Sequence, residues 1–239
     1  MRREYFKFNL KGKHSRMEEE NSKITSKFNI VATCAQILLA LATIYFTYTI
    51  SEKQNRISKL EYSPLFVLDK EQLYTKDFMP TGTDKISITN EGYAVNNYSS
   101  DVDTILTIYY SFNHQSKALI YNLDYFSVMS HKSGGKGKMT SGIGENNIKK
   151  LIDIKTKTKE ILDNYHPDYI NFELKHIAKV TYTNIEMEEG YTYFSDSNVV
   201  NQENYEKLKQ TIKNKELISF GQLQPENLAK IIIESFSHK

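Results

Sequence analysis

The sequence predicts a single N-terminal transmembrane helix followed by an α+β, β-rich domain: a sandwich or small OB-like barrel with two or three packed helices. Three observations lead there. Residues 28–50 form a long uncharged, apolar run. Beyond residue 64, short stretches rich in Ile, Val, Thr, Tyr and Phe recur between turn residues. Three further segments repeat their apolar residues at helical spacing.

The apolar run, FNIVATCAQILLALATIYFTYTI from Phe28 to Ile50, is 23 residues long and is bounded by Lys27 and by Glu52 and Lys53. At roughly 1.5 Å per residue it reaches about 35 Å, enough for a hydrocarbon core of about 30 Å. Tyr45 and Tyr48 lie near one end and Phe28 at the other, where aromatic rings favour the lipid–water boundary. Thr33, Thr43 and Thr47 can return their hydroxyls to the helix's own carbonyls. An h-region of a signal peptide is shorter, and SEKQ offers no small-residue cleavage pattern.

Charge bias gives two orientations. Residues 1–27, a basic tail, hold eight Lys or Arg, against Lys53, Arg56 and Lys59 after the run, which puts the N-terminus in the cytosol. Six of the eight precede Met17. Translation from Met17 reverses the bias and puts the C-terminal domain in the cytosol, the orientation favoured here, with an extracytoplasmic domain as the alternative.

Residues 51–63 read as a helical stalk ended by Pro64, and 64–239 as the globular domain. Within it, strands are expected at 65–68, 85–89, 104–112, 118–128, 169–174, 177–183 and 191–194. Turns are expected at Asn90-Glu91-Gly92, Asp101, Asn113-His114 and Glu189-Gly190. Helices are expected at 146–165, 201–214 and 225–236, the last opening on Pro225 at a favoured first-turn position.

Chemistry is sparse. The segment HKSGGKGKMTSGIG, 131–144, holds five of the ten glycines and reads as a flexible loop. It fails the phosphate-loop pattern, since Lys132 stands where the first glycine should and Met139 follows Lys138. The six histidines never pair at i,i+3 or i,i+4, so each reads as a surface or turn residue and no metal is expected. Asp101-Val102-Asp103 and Glu186-Met187-Glu188-Glu189 read as solvated turns. No serine lies in a G-x-S-x-G elbow. The expectation is a protein that is not an enzyme and uses no cofactor. Cys34, the one cysteine, forms no intramolecular disulfide.

Charge asymmetry is the better lead. Lys132, Lys136, Lys138, Lys149, Lys150, Lys155, Lys157 and Lys159 face only Glu145 and Asp153, a local balance of +6 in a chain of net +2. Without Arg in this stretch, contact with a polyanion would go to phosphate and carry no sequence preference. Single-stranded DNA or RNA and anionic lipid both qualify. Tyr109, Tyr110, Tyr121, Tyr125, Tyr191 and Tyr193 lie on expected strands, where exposed rings would stack bases. A solvated helix face beside a loop, and a sheet that receives a protein partner, are the competing readings.

One apolar span, the stalk SEKQNRISKLEY and a β-rich body resemble the membrane-anchored abortive-infection proteins with which lactic acid bacteria stop phage multiplication. The resemblance covers the architecture. It implies a cytosolic body that binds single-stranded nucleic acid and blocks phage replication from the membrane, through the lysines already named.

Overall fold

The computed structural model describes residues 4–237, with side-chain detail for 27–59, 62–127 and 129–236. The basic side chains expected before Lys27 therefore lie outside the described residues, as do the rings of His14 and His238. The chain divides into two units, Met1–Leu60 and Glu61–Lys239.

The first unit is helical: α1 runs Glu4–Glu61. Within it Lys27–Lys59 is long and apolar enough to cross a membrane. Thr33, Thr43 and Thr47 each donate a hydroxyl hydrogen bond to the carbonyl four residues back, at 2.8 Å. These bonds satisfy the three threonine hydroxyls within the helix itself.

The second unit holds β1 (Phe66–Tyr74), β2 (Pro80–Phe112), β3 (Gln115–Asp124), β4 (Val128–His131), β5 (Gly135–Gly144), α2 (Asn147–Asp163), β6 (Tyr169–Thr183), β7 (Glu189–Ser195), β8 (Asn198–Val200), α3 (Gln202–Ile212), β9 (Leu217–Ser219) and α4 (Pro225–Ser237). The nine strands form one sheet, antiparallel except for the β3–β9 pair. The helices expected from apolar spacing all form, and Asn201 caps α3 by accepting from Asn204 N at 2.8 Å.

The strand pattern differs from expectation in one large respect. Residues 85–89 and 104–112 belong to a single strand of 33 residues, β2, and 169–174 and 177–183 are one strand, β6. Asn90-Glu91-Gly92 and Asp101 lie inside β2 and are not turns. Irregular registers between Asn90 and Val95 and between Asn96 and Ser99 absorb the polar stretch, with Asn97 at φ 48. Gly92 is required here: a Cβ would lie 2.3 Å from the Leu65 nitrogen, where β1 begins.

β2 organises the domain. Its first half pairs with β1 and β5, its second half with β3 and β6. Ile86 and Ile88 of the first half, Leu106, Ile108 and Tyr110 of the second, and Leu162 of α2 with Leu228 and Ile232 of α4 share one buried core. The opposite side of the second half carries Ile105, which packs with Ile177, Tyr205 and Ile212 under α3. The strand period of two separates the two cores.

Candidate functional site

The lysines expected to form one patch occupy two settings. Lys132, Lys136 and Lys138 lie on or beside the β4–β5 hairpin, all exposed. The glycine-rich segment is thus mostly strand, with β5 bonded between β4 and β2, and is not a flexible loop. Its glycines serve close packing as well as turning. A Cβ on Gly144 would lie 2.4 Å from Asp84 Oδ1, whereas Gly135 and Gly137 take positive φ in open space. Lys138 pairs in register with Thr89, on the sheet face that also bears Lys85. The Lys85 ammonium beside it lowers the Lys138 pKa.

The remaining five lysines lie on α2. At about 100° per residue, Lys149 points away from the face buried by Ile154, Thr158 and Leu162. Lys150 and Lys157 fall on one flank, Lys155 and Lys159 on the other, so no single row forms. Asp153 occupies the outer face and pairs with Lys157 at 2.9 Å.

The aromatic rings divide as well. Tyr110 and Tyr125 are buried, Tyr121 and Tyr193 half-buried, and Tyr109 and Tyr191 exposed. Lys179, which is not among the expected lysines, lies 4.9 Å from the Tyr191 ring.

Asp101 and Asp103 are mid-strand and both bind Lys209 of α3, at 3.1 and 2.5 Å. Burial opposes the Lys209 charge, but the hydrogen bonds it donates to Asp103 and Asp101 carry its pKa upward. Residues 184–188 do form a turn, in which Asn184 Oδ1 accepts from the amides of Glu186 and Glu188. His114 and His166 are exposed and sit at positive φ beside turns, and His131 is exposed at the end of β4.

His176 is the exception among the described histidines. It is 1% exposed and lies mid-strand in β6. Its Nε2 is 2.9 Å from Lys70 Nζ and its Nδ1 is 2.9 Å from Thr104 Oγ1. A protonated lysine has no lone pair, so Nε2 accepts and the ring proton resides on Nδ1, donated to Thr104. Burial pushes the ring's pKa down to about 3, with the Lys70 charge adding to the shift. Lys70 also reaches Asp84 Oδ2 at 3.7 Å, where the Tyr125 hydroxyl donates at 3.0 Å. Burial raises the Asp84 pKa against the opposing Tyr125 hydrogen bond and Lys70 charge. Burial likewise raises that of Tyr125, helped by Asp84. Asn147, at the start of α2, donates to the Tyr125 carbonyl.

This cluster joins β1 and the first half of β2 (Lys70, Asp84) to the second half of β2 and β6 (Thr104, His176). Its groups satisfy one another except at Asp84 Oδ1, which is buried without a hydrogen-bond partner beside Gly144. Only Lys70 reaches solvent, with 36% of its side chain exposed. The arrangement is a polar clamp across the core. Strand parity is the signal that could have revealed it. Lys70 follows Phe66 and Leu68, Asp84 precedes Ile86 and Ile88, and His176 stands between Phe172 and Val180, each on its strand's buried parity. The chain matches no protein-family model and no curated protein.

Proposed function

We propose that this is a single-pass membrane protein that tethers a non-catalytic, sandwich-like binding module to the bilayer, and that the module receives a protein partner. One observation carries the tether. The uncharged stretch of α1 leaves Leu38, Leu39, Ile44 and Phe46 more than half exposed, an apolar surface suited to lipid. The partner reading is supported by a sheet that retains an open edge at β3, which β9 covers only at residues 122–124. The chain is expected to stay with the membrane pellet in alkaline carbonate. Replacing both Leu38 and Leu41 by Arg, at about 2.5–3.5 kcal/mol each at a helix centre, should release it. Extraction of the unaltered chain by carbonate would end the tether reading. The charge bias of a Met17 start supports a cytosolic domain, which protease protection in intact protoplasts tests.

Lys138 held beside Lys85 favours a second reading, in which a polyanion such as single-stranded DNA or RNA, or anionic lipid, lies along the hairpin lysines. Four engaged lysines, Lys85, Lys132, Lys136 and Lys138, predict a log–log salt slope of about −3 on single strands. Binding without salt dependence, or none, rejects it. A phage-defence role follows from the architectural resemblance, and phage plating on cells with and without the chain measures it.

A further inference from the structure

Among the described residues, the edge of β3 carries unpaired backbone groups in a defined phase. Asn113 and His114, at φ 47 and 62, form the two-residue loop between β2 and β3, and Phe112 faces Gln115 across it. In such a hairpin the flanking pair is hydrogen-bonded, so Gln115, Lys117, Leu119 and Tyr121 direct their N–H and C=O toward β2. Ser116, Ala118, Ile120, Asn122 and Asp124 direct theirs to the opposite edge. β9 pairs there with residues 122–124 alone. Ser116, Ala118 and Ile120 are left facing outward.

A groove of ≈ 290 Å³ opens on this stretch, lined by Ala118, Leu119, Ile120 and Tyr121 on one side and by Lys215, Glu216 and Ile218 on the other. That volume lies at the lower limit of about 300 Å³ for small-molecule pockets. Lys215 and Glu216, in the chain leading into β9, form the groove's outer wall. Lys213 and Lys215 have no ion-pair partner among the described residues, whereas Lys117 is drawn away to the Ser235 carbonyl and the Phe236 ring. Glu216 is the opposing charge on the groove wall.

We propose that this groove is a docking slot for an extended, acidic peptide segment of a partner protein, which adds as a strand to β3 ahead of β9. Backbone bonds to Ser116, Ala118 and Ile120 supply affinity. Alternate side chains of the peptide meet Leu119 and Tyr121, and its carboxylates meet Lys213 and Lys215. The inference rests on the partner-binding reading and names the partner's chemistry.

The test uses the full chain in detergent micelles and a fluorescein-labelled peptide of about seven alternating valine and glutamate residues. Binding is expected with a Kd on the order of 10–100 μM. In two further peptides, N-methylation at alternate positions should weaken binding about tenfold or more in one phase and spare it in the other. Amide exchange at Ser116, Ala118 and Ile120 should slow on binding. Lys213→Glu with Lys215→Glu should weaken binding about tenfold while leaving the thermal transition in place. No binding at about 1 mM, or equal tolerance of both N-methylation phases, overturns the slot. Self-association of the chain abolished by Ala118→Pro would give the edge to a second copy and also overturn it. A chain retained in carbonate pellets that binds no such peptide loses the slot and keeps the tether.

Discussion

The unfolding free energy of the β-rich domain is expected to fall by on the order of 4 kcal/mol between pH 6.5 and pH 3 through His176. The unfolded ring takes a proton near pH 6.5, while the folded ring resists until about pH 3. The unfolded state therefore binds the extra proton across that window, and stability present above pH 6.5 is lost as the pH falls. The groups facing the ring explain the resistance. Lys70 from β1 already places a cation 2.9 Å from Nε2, Thr104 Oγ1 from β2 accepts the hydrogen bond from Nδ1–H, and the Tyr125 and Phe126 rings pack at 5.4 and 5.1 Å. Asp196 receives the His176 backbone amide at 2.9 Å and holds the strand there.

Asp84 works in the opposite sense. Its pKa is raised above 3.8, so its contribution is present below that value and is lost as the pH rises through the folded value. It offsets part of the loss at the acid end. Urea unfolding at a series of pH values, followed by the near-ultraviolet dichroism of the tyrosines, measures the slope. His176→Gln, which keeps an acceptor for Lys70 but cannot titrate, should flatten the curve. An unchanged slope in that variant would assign the effect to other groups.

The second large effect is expected at the other end of the clamp. Lys70→Met should destabilise the domain by about 3 kcal/mol at neutral pH, because it leaves the Asp84 carboxylate buried without its cation. Asp84→Asn introduced into that variant should recover a substantial part of the loss. A double-mutant cycle then gives a coupling of about 1–3 kcal/mol. Strictly additive losses would mean that the 3.7 Å contact contributes nothing. The partial exposure of Lys70 sets the coupling toward the lower part of that range.

How far the chain can be read without its structure depends on the range of the interaction. The helices 147–163, 202–212 and 225–237 are legible from apolar spacing, and Asn113-His114 from turn chemistry, because each is decided by residues within a few positions. The continuity of β2 is not legible. Asn90, Glu91 and Gly92 have turn composition, yet the Asn90 side chain bonds the amides of Leu65 and Gly92 and the carbonyls of Tyr93 and Gly135. Those partners keep a polar stretch inside a strand. Asp101 and Asp103 likewise resemble a turn until Lys209, more than a hundred positions later in the chain, pairs with both of them. The glycines of 131–144 suggest mobility, but Gly144 is there because Asp84 approaches it.

The sequence by itself determined the long apolar helix, the strand-rich composition and the three later helices, since these follow from hydrophobic period and length along the chain. Only the tertiary structure decided that Lys70, Asp84, Thr104, Tyr125 and His176 meet, that the lysines of 131–159 divide between a hairpin and two flanks of a helix, and that β3 keeps an open edge. A polar side chain on a buried parity must find its partner across the core. Which partner it finds is set by how the two halves of β2 pair with their neighbours, and no local stretch of residues carries that information.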